Sequence, residues 1–509
     1  MFAESNSQSS DSKKSLLVEF VNTLEWLVTA FMLAFIFRAF VMEAFRIPTG
    51  SMANTLRGAH FRMQCPGCGY QYDYGFIPEN YGLRSEVVPP GLVPITPHDR
   101  PNLQTKCPSC GFFIPGSERR EVYNGDRILV LKCIYQLFEP QRWDVVVFKN
   151  PLEPKINYIK RLIAGPGETV EIIDGNIFID GKIARKPLRV QNELWSVIYN
   201  NDYQPINPQV PRFNGRQWRQ PFENVGDSRW QVDKLRPTVF VLDVSPEETS
   251  VMRYNTAQGN DLAAVCSYNA VGFATAAEQS SDLKIRFHVE HGPVGTIGAT
   301  LSKYESVYKG LVDFSGRMTI TRKAADKPEV ELASASLRRP GESGFRRFSF
   351  VNVDHKLKLQ FGDEQLEVYM ASDPNGMGII PEVVGPSSVT VFGSGRLSLS
   401  RLALFRDIHY VSIGHRGQRG MPFTLKDDEF FVLGDNSPNS QDSRWWTAEG
   451  IGNAQKTYRA GIVPRDYLVG KAVLVYWPSG FTILDWLPIF VTPDFGRLRL
   501  IYGGSDRLF

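Results

Sequence analysis

The chain has 509 residues, a length that predicts several domains rather than one. Its 57 lysines and arginines against 54 aspartates and glutamates leave a formal charge of +3. This near balance disfavours a nucleic-acid-binding protein, which would carry a strongly basic domain. With 42% hydrophobic and 22% charged residues, the composition excludes a disordered chain, a collagen and a polytopic membrane protein. The 43 glycines and 33 prolines favour turn-rich β structure.

A hydrophobic stretch lies near the N-terminus. Residues 1–23 are predicted to be a flexible polar N-terminus that includes Lys13 and Lys14. Residues 24–43 are predicted to be a transmembrane helix, because about 20 apolar residues are needed to cross a bilayer. A cleaved signal peptide and a buried soluble helix are the alternatives. The two lysines favour a cytoplasmic N-terminus, which predicts a single-pass protein with the rest of the chain on the outer side of the membrane.

Two cysteine pairs follow the hydrophobic stretch. Cys65 and Cys68 lie in CPGC, and Cys107 and Cys110 lie in CPSC, each pair before a glycine. Two such knuckles predict a structural zinc site, since four thiolates satisfy tetrahedral zinc. Two disulfides or a redox pair are the alternatives, because an outward-facing domain lies in an oxidising compartment. Four protein ligands leave no open position on the metal, so no catalytic cofactor is expected.

Two segments carry residue types suited to nucleophilic catalysis. The segment FRIPTGSMANTL has Ser51 at the end of a turn, and NYIKRLIAGPGETV has Lys160 among apolar neighbours. Burial disfavours the ammonium form, so a buried lysine can act as a general base near neutral pH. Serine with lysine is a known variant of the serine-hydrolase arrangement. Taken alone, each residue is equally compatible with a surface turn or an exposed strand position.

The segments around these residues predict β-strands. GDRILVLK and RWDVVVFK are rich in β-branched residues and are bounded by turn residues. VEIIDGNIFIDGKI contains two Asp-Gly pairs flanked by alternating apolar residues, which predicts two tight hairpins.

The order of these segments resembles the successive boxes of the type I signal peptidases, S26-type Ser/Lys membrane proteases of bacteria. The hydrophobic stretch, IPTGSM, GDRILVLK, RWDVVVFKNP, YIKRLIAGPGETV and GDNSPNSQDSR follow one another as in that family. The resemblance implies that Ser51 is the nucleophile and Lys160 the general base. One position departs from the family pattern: Asn54 stands where the family usually has proline, three residues after the nucleophile.

The same resemblance implies roles for residues around the pair. Thr49 would supply a hydroxyl to the oxyanion hole, and Ser440 a hydroxyl that orients the lysine amine. Asp442 and Arg444 would form a structural ion pair beside the site. Two further residues match positions that flank the base, namely Tyr158 and Arg161.

Family membership further implies an activity and a location. The expected protein is a serine endopeptidase that cleaves signal peptides from secretory preproteins through an acyl-enzyme. It would lie in the lipid bilayer of the bacterial cytoplasmic (inner) membrane, with its catalytic domain on the outer, periplasmic face. Two alternatives remain: a catalytically silent membrane-anchored scaffold, and a Ser/Lys protease for a specialised surface substrate.

The predicted fold is mainly β, with a signal-peptidase-like domain split by two insertions. Strand-like runs such as FSFVNVDHKLKLQFGDEQLEV and LSLSRLALFRDIHY are similar to strands of concanavalin-like or laminin-G-like jelly rolls, which predicts a two-sheet β-sandwich. A protein or a glycan is the expected ligand of this sandwich. The predicted segments after the helix are a first catalytic segment at 44–58, a zinc-ribbon-like insertion at 59–120, a second catalytic segment at 121–187, the sandwich insertion at 188–425 and a third catalytic segment at 426–509.

Overall fold

The structure is a computed structural model, and it confirms the prediction of a mainly β protein with an apolar N-terminal helix. The residues that the structure describes are 8–84, 87–100, 103–212, 215–232, 238–271, 278–370, 385–452, 456–478, 481–482, 491–492 and 494–504.

The α-helices are α1 (Gln8–Ile36), α2 (Ile134–Leu137) and α3 (Leu188–Leu194). In chain order the strands are β1 (Met42–Arg46), β2 (His60–Gln64), β3 (Gln71–Gly75), β4 (Leu92–Pro94), β5 (Arg119–Tyr123), β6 (Arg127–Leu131), β7 (Val145–Lys149), β8 (Asn157–Ala164), β9 (Thr169–Ile173), β10 (Asn176–Ile179), β11 (Lys182–Ile183), β12 (Ser196–Asn200), β13 (Phe222–Asn224), β14 (Gln231–Val232), β15 (Phe240–Asp243), β16 (Ser250–Tyr254), β17 (Leu283–Lys303), β18 (Ser306–Asp313), β19 (Arg317–Ala324), β20 (Val330–Ser336), β21 (Gly344–Val353), β22 (Lys356–Phe361), β23 (Glu364–Tyr369), β24 (Val389–Arg406), β25 (Phe423–Thr424), β26 (Glu429–Leu433), β27 (Gly450–Ile451), β28 (Thr457–Tyr458), β29 (Val463–Pro464), β30 (Leu468–Trp477), β31 (Phe481–Thr482), β32 (Val491–Thr492) and β33 (Arg499–Leu500).

The N-terminal helix α1 continues into a π-helical turn at Phe37–Val41. It begins at Gln8 rather than at the predicted residue 24, because neither glycine nor proline interrupts residues 8–36. Val18–Val41 is long and apolar enough to cross a membrane. Its mean hydropathy is 1.8, and its most apolar stretch is not buried against the described rest of the chain.

An eight-stranded antiparallel sheet contains strands from all three predicted catalytic segments. Its strand order is β1-β6-β30-β7-β8-β26-β29, with β33 paired to β30. Strands from residues 42–46, 127–164 and 429–500 therefore meet in one sheet, although a long insertion separates them in the chain. Beside it, β9, β10, β11 and β25 form a four-stranded sheet.

The two hairpins predicted from Asp-Gly pairs are confirmed. Strands β9 and β10 pair across Asp174–Gly175, and β10 and β11 pair across Asp180–Gly181. All four turn residues have positive φ, between 48° and 75°, as a type I′ turn requires.

The second insertion forms thirteen strands, which the long strands β17 and β24 join into one continuous hydrogen-bonded sheet. The first half of β17 pairs with β21 and the second half pairs with β18, while β24 pairs with both halves. The ladder between β17 and β24 is irregular between His291 and Gly295. Gly295 and Gly395 have φ of 112° and 78°, and a Cβ on either would approach the backbone of the facing strand to within 2.7 Å. These glycines let both long strands bend, so that one continuous sheet encloses one apolar core.

The segment between β2 and β5 forms a small sheet with the order β3-β2-β5-β4. Its core includes the four paired cysteines together with aromatic side chains such as Phe61 and Tyr72.

A buried charge network joins the second insertion to the catalytic sheets. The amine of Lys186, which precedes the insertion, pairs with Asp354 and lies 2.9 Å from a carboxylate oxygen of Asp407. A second buried ion pair joins Lys303, the last residue of β17, to Asp282, which directly precedes this strand. Burial lowers the pKa of Lys186, but Asp354 and Asp407 outweigh this effect and raise it above its ordinary value. The network therefore holds the insertion where it leaves and rejoins the sheets that carry the predicted catalytic segments.

We predict that Lys186→Ala destabilises the full chain by about 3 to 5 kcal/mol, because it leaves two buried carboxylates without their cation. The measurement is the thermal unfolding midpoint in detergent. Lys309→Ala is the matched control, because the Lys309 side chain is 35% exposed and lies 3.9 Å from Glu329. Its removal should cost less than about 1 kcal/mol. Equal unfolding midpoints for the two variants would contradict the stabilising role of the network.

Candidate active site

Ser51 lies in a tight turn directly after β1. The turn is a 3-10 segment at Gly50–Met52, and the Ser51 side chain is almost buried, with 8% of its surface exposed. Met52 and Leu56 pack into the core of the eight-stranded sheet. This packing fixes the turn against the sheet on which Lys160 lies.

The structure brings Lys160 and Ser51 together. Lys160 Nζ lies 2.7 Å from Ser51 Oγ and also donates a hydrogen bond to the carbonyl oxygen of Ile159 at 3.1 Å. The two side chains come from residues 109 positions apart in the chain. A hydroxyl and an amine at this distance can exchange a proton.

Burial sets the acidity of this lysine. Only 4% of Lys160 is exposed, and burial lowers its pKa to about 8, although the carboxylates of Asp442 and Asp435 act in the opposite direction. The Tyr158 ring centroid lies 5.3 Å from Nζ, so the amine also faces an aromatic ring. A substantial fraction of the lysine is therefore neutral at slightly alkaline pH.

Two buried ion pairs flank the lysine. Arg444 makes a bidentate contact with Asp442, at 2.9 and 2.7 Å. Arg161 makes a second bidentate contact with Asp435, at 2.7 and 2.6 Å. Each carboxylate is thus committed to an arginine rather than to Lys160, which keeps the lysine from being locked in its charged form.

Thr49 and Ser440 lie close to the nucleophile but differ in their contacts. Thr49 Oγ1 lies 3.5 Å from Ser51 Oγ, so it borders the reacting hydroxyl. The Ser440 hydroxyl is buried and makes no hydrogen bond within the described part of the chain, including none to Lys160. The predicted contact between Ser440 and the lysine amine is therefore not formed in this structure.

The loop after β26 holds the turn at Gly50–Met52, here called the nucleophile turn after the predicted role of Ser51. Asn436 donates its N–H to the carbonyl oxygen of Ser51 at 3.0 Å and its side-chain amide to the carbonyl oxygen of Gly50 at 3.0 Å. Gly434 passes so close that a Cβ there would lie 2.4 Å from the Ser51 carbonyl oxygen and 2.3 Å from Ser440 Oγ. The sequence pattern did not single out Gly434, Asp435 or Asn436, although all three belong to the GDNSPNSQDSR box.

The second insertion also reaches the nucleophile turn. The side-chain amides of Asn269 and Asn436 exchange hydrogen bonds of 2.7 Å. The Tyr268 ring fills the space that a side chain at Gly50 would need, since a Cβ there would lie 2.3 Å from the ring. Cys266 Sγ lies 3.7 Å from the side-chain oxygen of Asn54, which follows a cis peptide bond. No motif in the sequence pointed to this segment.

A cavity of about 650 Å³ opens beside the site, between the two insertions. Its lining includes Asn54 from the nucleophile segment, Cys266 and Asn269 from the second insertion, and Trp195 and Val197. It is large enough to take part of a polypeptide.

The four paired cysteines converge in the first insertion. Their sulfurs all lie within 4.8 Å of one another, and the Cys65–Cys110 and Cys68–Cys107 sulfur distances are both 3.6 Å. A zinc ion with bonds of about 2.3 Å to four sulfurs separates them by about 3.8 Å, so these residues fit a tetrahedral metal site. All four are free thiols, at separations well beyond the disulfide bond length of about 2.05 Å.

Parts of the chain match known proteins. The family model for signal peptidase, peptidase S26, matches residues 112–233 and 406–477. Two segments of the chain are therefore similar to this family. The first matched segment includes Lys160 and the second includes the Asp442–Arg444 pair, whereas Ser51 precedes the matched segments.

Two curated proteins are similar to parts of this chain. Signal peptidase I of Rickettsia canadensis (strain McKiel) is 30% identical over 160 residues, which are 31% of this chain and 43% of that protein. Signal peptidase I T of Bacillus subtilis (strain 168) is 35% identical over 95 residues, which are 18% of this chain and 48% of that protein. The chain thus spans less than half of the length of these relatives.

Among solved structures, the CBM2 module of the Lactobacillus casei BL23 phage J-1 evolved Dit aligns with 43% of the chain and 99% of its own length. The sequence identity is 11% and the TM-score is 0.27. A likeness of this size carries no argument about the ligand of the second insertion.

We predict that Gly434→Ala displaces the nucleophile turn and destabilises the protein by about 1 to 3 kcal/mol. The added Cβ would overlap the Ser51 carbonyl oxygen and Ser440 Oγ, and such overpacking is costly. The thermal unfolding midpoint of the full chain measures the effect. Gly165→Ala is the control, because its Cβ would meet neighbouring atoms only at 3.9 Å or more. A Gly434→Ala midpoint equal to that of the control would refute the close approach.

Proposed function

We propose that this chain is a membrane-anchored serine endopeptidase that cleaves signal peptides from secretory preproteins, with Ser51 as nucleophile and Lys160 as general base. The observation that carries the proposal is the 2.7 Å distance between Lys160 Nζ and Ser51 Oγ. The match of two segments to the family model for signal peptidase, peptidase S26, and the similarity to signal peptidases I support the same activity.

The reaction follows from the chemistry of the two groups. Neutral Lys160 takes the Ser51 hydroxyl proton as Oγ attacks the carbonyl carbon of the scissile peptide bond. Lys160 then gives the proton to the departing amine, and the acyl group stays on Ser51 as an ester. A water molecule, deprotonated by the same lysine, attacks the ester and restores the serine.

The developing negative charge needs hydrogen-bond donors. The Ser51 backbone N–H and the Thr49 hydroxyl are the proposed donors to the oxyanion, and Thr49 Oγ1 lies 3.5 Å from Ser51 Oγ. Removing one such donor typically costs about a hundredfold or more in rate. The unpartnered hydroxyl of Ser440 is available to orient the lysine amine during the reaction.

The anchor suits this substrate class. The candidate span Val18–Val41 is separated from Ser51 only by β1 and a short turn, which favours an active site close to the bilayer surface. A preprotein is held in the same bilayer by its own hydrophobic signal, so anchoring raises the effective concentration of the two partners. With Lys13 and Lys14 on the cytoplasmic side, the proposed location is the outer, periplasmic face of the bacterial cytoplasmic membrane.

Two other functions are compatible with particular observations. A catalytically silent scaffold is favoured by Asn54 in place of the family proline and by the size of the insertions. A Ser/Lys protease for a specialised surface substrate is favoured by Asn269, since an insertion residue contacts the loop that holds the nucleophile turn.

We predict that Ser51→Ala and Lys160→Ala each lower preprotein cleavage more than about a thousandfold, because the two groups act as one unit. The wild-type rate should rise about tenfold per pH unit until about pH 8 and then level off, since only neutral Lys160 accepts the proton. Lys149→Ala on the adjacent strand, where the side chain is exposed, is the control and should cleave normally.

A second measurement separates the three functions. A mechanism-based acylating inhibitor should label Ser51 of the wild type and not of Ser51→Ala. Absence of labelling would favour the silent scaffold, whereas labelling without cleavage of preproteins would favour a specialised substrate. Full activity in either alanine variant would refute the Ser/Lys mechanism.

We also propose that the four paired cysteines bind a structural zinc ion. The 3.6 Å sulfur separations and the two glycines after the knuckles, Gly69 and Gly111, with φ of 75° and 72°, support this choice. The second knuckle, Cys107–Cys110, docks on the second insertion. Ser109 Oγ donates a hydrogen bond to the carbonyl oxygen of Asn200, and the side-chain amide of Asn260 donates one to the carbonyl oxygen of Pro108. Bound zinc would therefore stabilise the contact between the two insertions.

Zinc analysis of the purified full chain should find about one equivalent, and Cys107→Ser should lower both the zinc content and the thermal unfolding midpoint. Cys133→Ser is the control, because Cys133 lies outside the cysteine cluster. A wild-type chain without zinc, in which thiol titration finds the four cysteines oxidised, would establish disulfides instead.

A further inference from the structure

One open face of the thirteen-stranded sheet carries a cluster of cationic side chains, here called the basic face. Along β17, Leu283, Ile285, Phe287 and Val289 are buried in the core, so the alternating residues Lys284, Arg286 and His288 point to the other face. Arg347 lies directly opposite His288 on β21. On the other side of β17, Ser400 of β24 lies opposite His288, and Arg401 is the next residue of β24. The basic face consists of Lys284, Arg286, Arg347 and Arg401, with His288 beside Arg347.

These cations have no ion-pair partner within 4 Å among the residues that the structure describes. In this the half-buried Arg286 differs from most other buried or half-buried arginines of the chain. Instead, their positive charges lower the pKa values of their cationic neighbours. Burial and then Arg347 lower the pKa of Arg286, and burial and then Arg286 lower the pKa of Lys284 to about 7. Asp202 acts on Arg286 and His288, and Asp407 acts on Lys284, so a net positive charge remains on this set. Like charges held together in this way are stabilised by an anionic partner.

The surrounding side chains hold the cations in fixed positions. Lys284 Nζ lies 4.1 Å from the Trp195 ring centroid and 4.6 Å from that of Phe405, and the Arg286 guanidinium lies 5.0 Å from Phe405. Arg401 occupies an irregular step in the ladder with φ of 52°, a conformation that L-residues rarely adopt. Bulges of this kind redirect a side chain. Arginine forks are suited to bidentate contacts with carboxylates.

The basic face adjoins the cavity beside the nucleophile. Trp195 both contacts Lys284 and lines the cavity, and Val197, which lies opposite Phe405 in the sheet, also lines it. At its other side the cavity is bordered by Asn54, three residues after Ser51. A polypeptide held at Ser51 can therefore extend through the cavity to the basic face.

We propose that the basic face is an exosite that binds an acidic segment of the polypeptide substrate. The inference rests on the proposed function. The portion of a preprotein before the cut is its hydrophobic signal, which lies in the bilayer, so the segment that reaches the sheet is the mature chain after the cut. Carboxylates of that segment pair with the arginines and remove their mutual repulsion.

The test uses two preproteins that differ only in the mature chain, one with a run of glutamates after a short linker and one with glutamines. For the wild-type full chain in zwitterionic vesicles, the KM of the glutamate substrate should be about five- to tenfold lower, and high salt should remove the difference. In the double variant Arg347→Gln, Arg401→Gln, whose parent side chains are both exposed, the KM ratio should fall to about one. The control is Arg396→Gln, which replaces an exposed arginine nearer the start of β24. This variant should keep the wild-type KM ratio.

A binding measurement separates this proposal from the proposed function. Fluorescence anisotropy with the Ser51→Ala full chain gives Kd for the glutamate and glutamine segments without any cleavage. Tighter binding of the glutamate segment that the double variant loses supports the exosite even where neither preprotein is cleaved. Equal Kd values for the two segments would overturn it. The exosite proposal would also be overturned if the basic face bound vesicles of anionic lipid or an acidic polysaccharide but did not bind the glutamate segment.

Discussion

The burial of one lysine amine beside a serine hydroxyl is the constraint on which the rest of the site depends. A buried ammonium is costly, so burial alone favours the neutral base. Nearby carboxylates oppose this effect, and the structure limits them by giving each its own arginine: Asp442 pairs with Arg444 and Asp435 with Arg161. The two ion pairs thus have an electrostatic consequence as well as a structural one. The two ion pairs stabilise buried loops, and the pKa of Lys160 nevertheless stays at about 8.

The nucleophile turn is positioned mainly by backbone contacts. Its carbonyl oxygens accept hydrogen bonds from Asn436, and Gly434 lets the two segments approach to a distance that no side chain would permit. Asn269 and Tyr268 extend this packing to the second insertion. The insertion therefore belongs to the environment of the site, since its residues contact both the turn and the loop that holds it.

Three structural units meet around the cavity beside Ser51. The cysteine cluster docks on the second insertion through the second knuckle, and the buried Lys186 network fixes the insertion to the catalytic sheets. Because these contacts are buried, the cavity and the basic face keep a constant position relative to the nucleophile. An enzyme whose substrate is already concentrated at a membrane gains little from tighter general binding, but it can gain selectivity from a distant charged surface.

The sequence by itself determined the local features. Apolar length indicated the helix, β-branched runs indicated strands such as β7, Asp-Gly pairs indicated both hairpins, and motif order indicated the segments that hold Ser51 and Lys160. These features depend on residues close in the chain, and so a linear pattern can carry them. Only the tertiary structure decided that Lys160 Nζ lies 2.7 Å from Ser51 Oγ, that Asp435 pairs with Arg161, that Asn269 reaches Asn436, and that the second insertion is one bent sheet. Each of these depends on contacts between segments far apart in the chain, for which burial and backbone geometry, rather than local residue preference, determine the outcome.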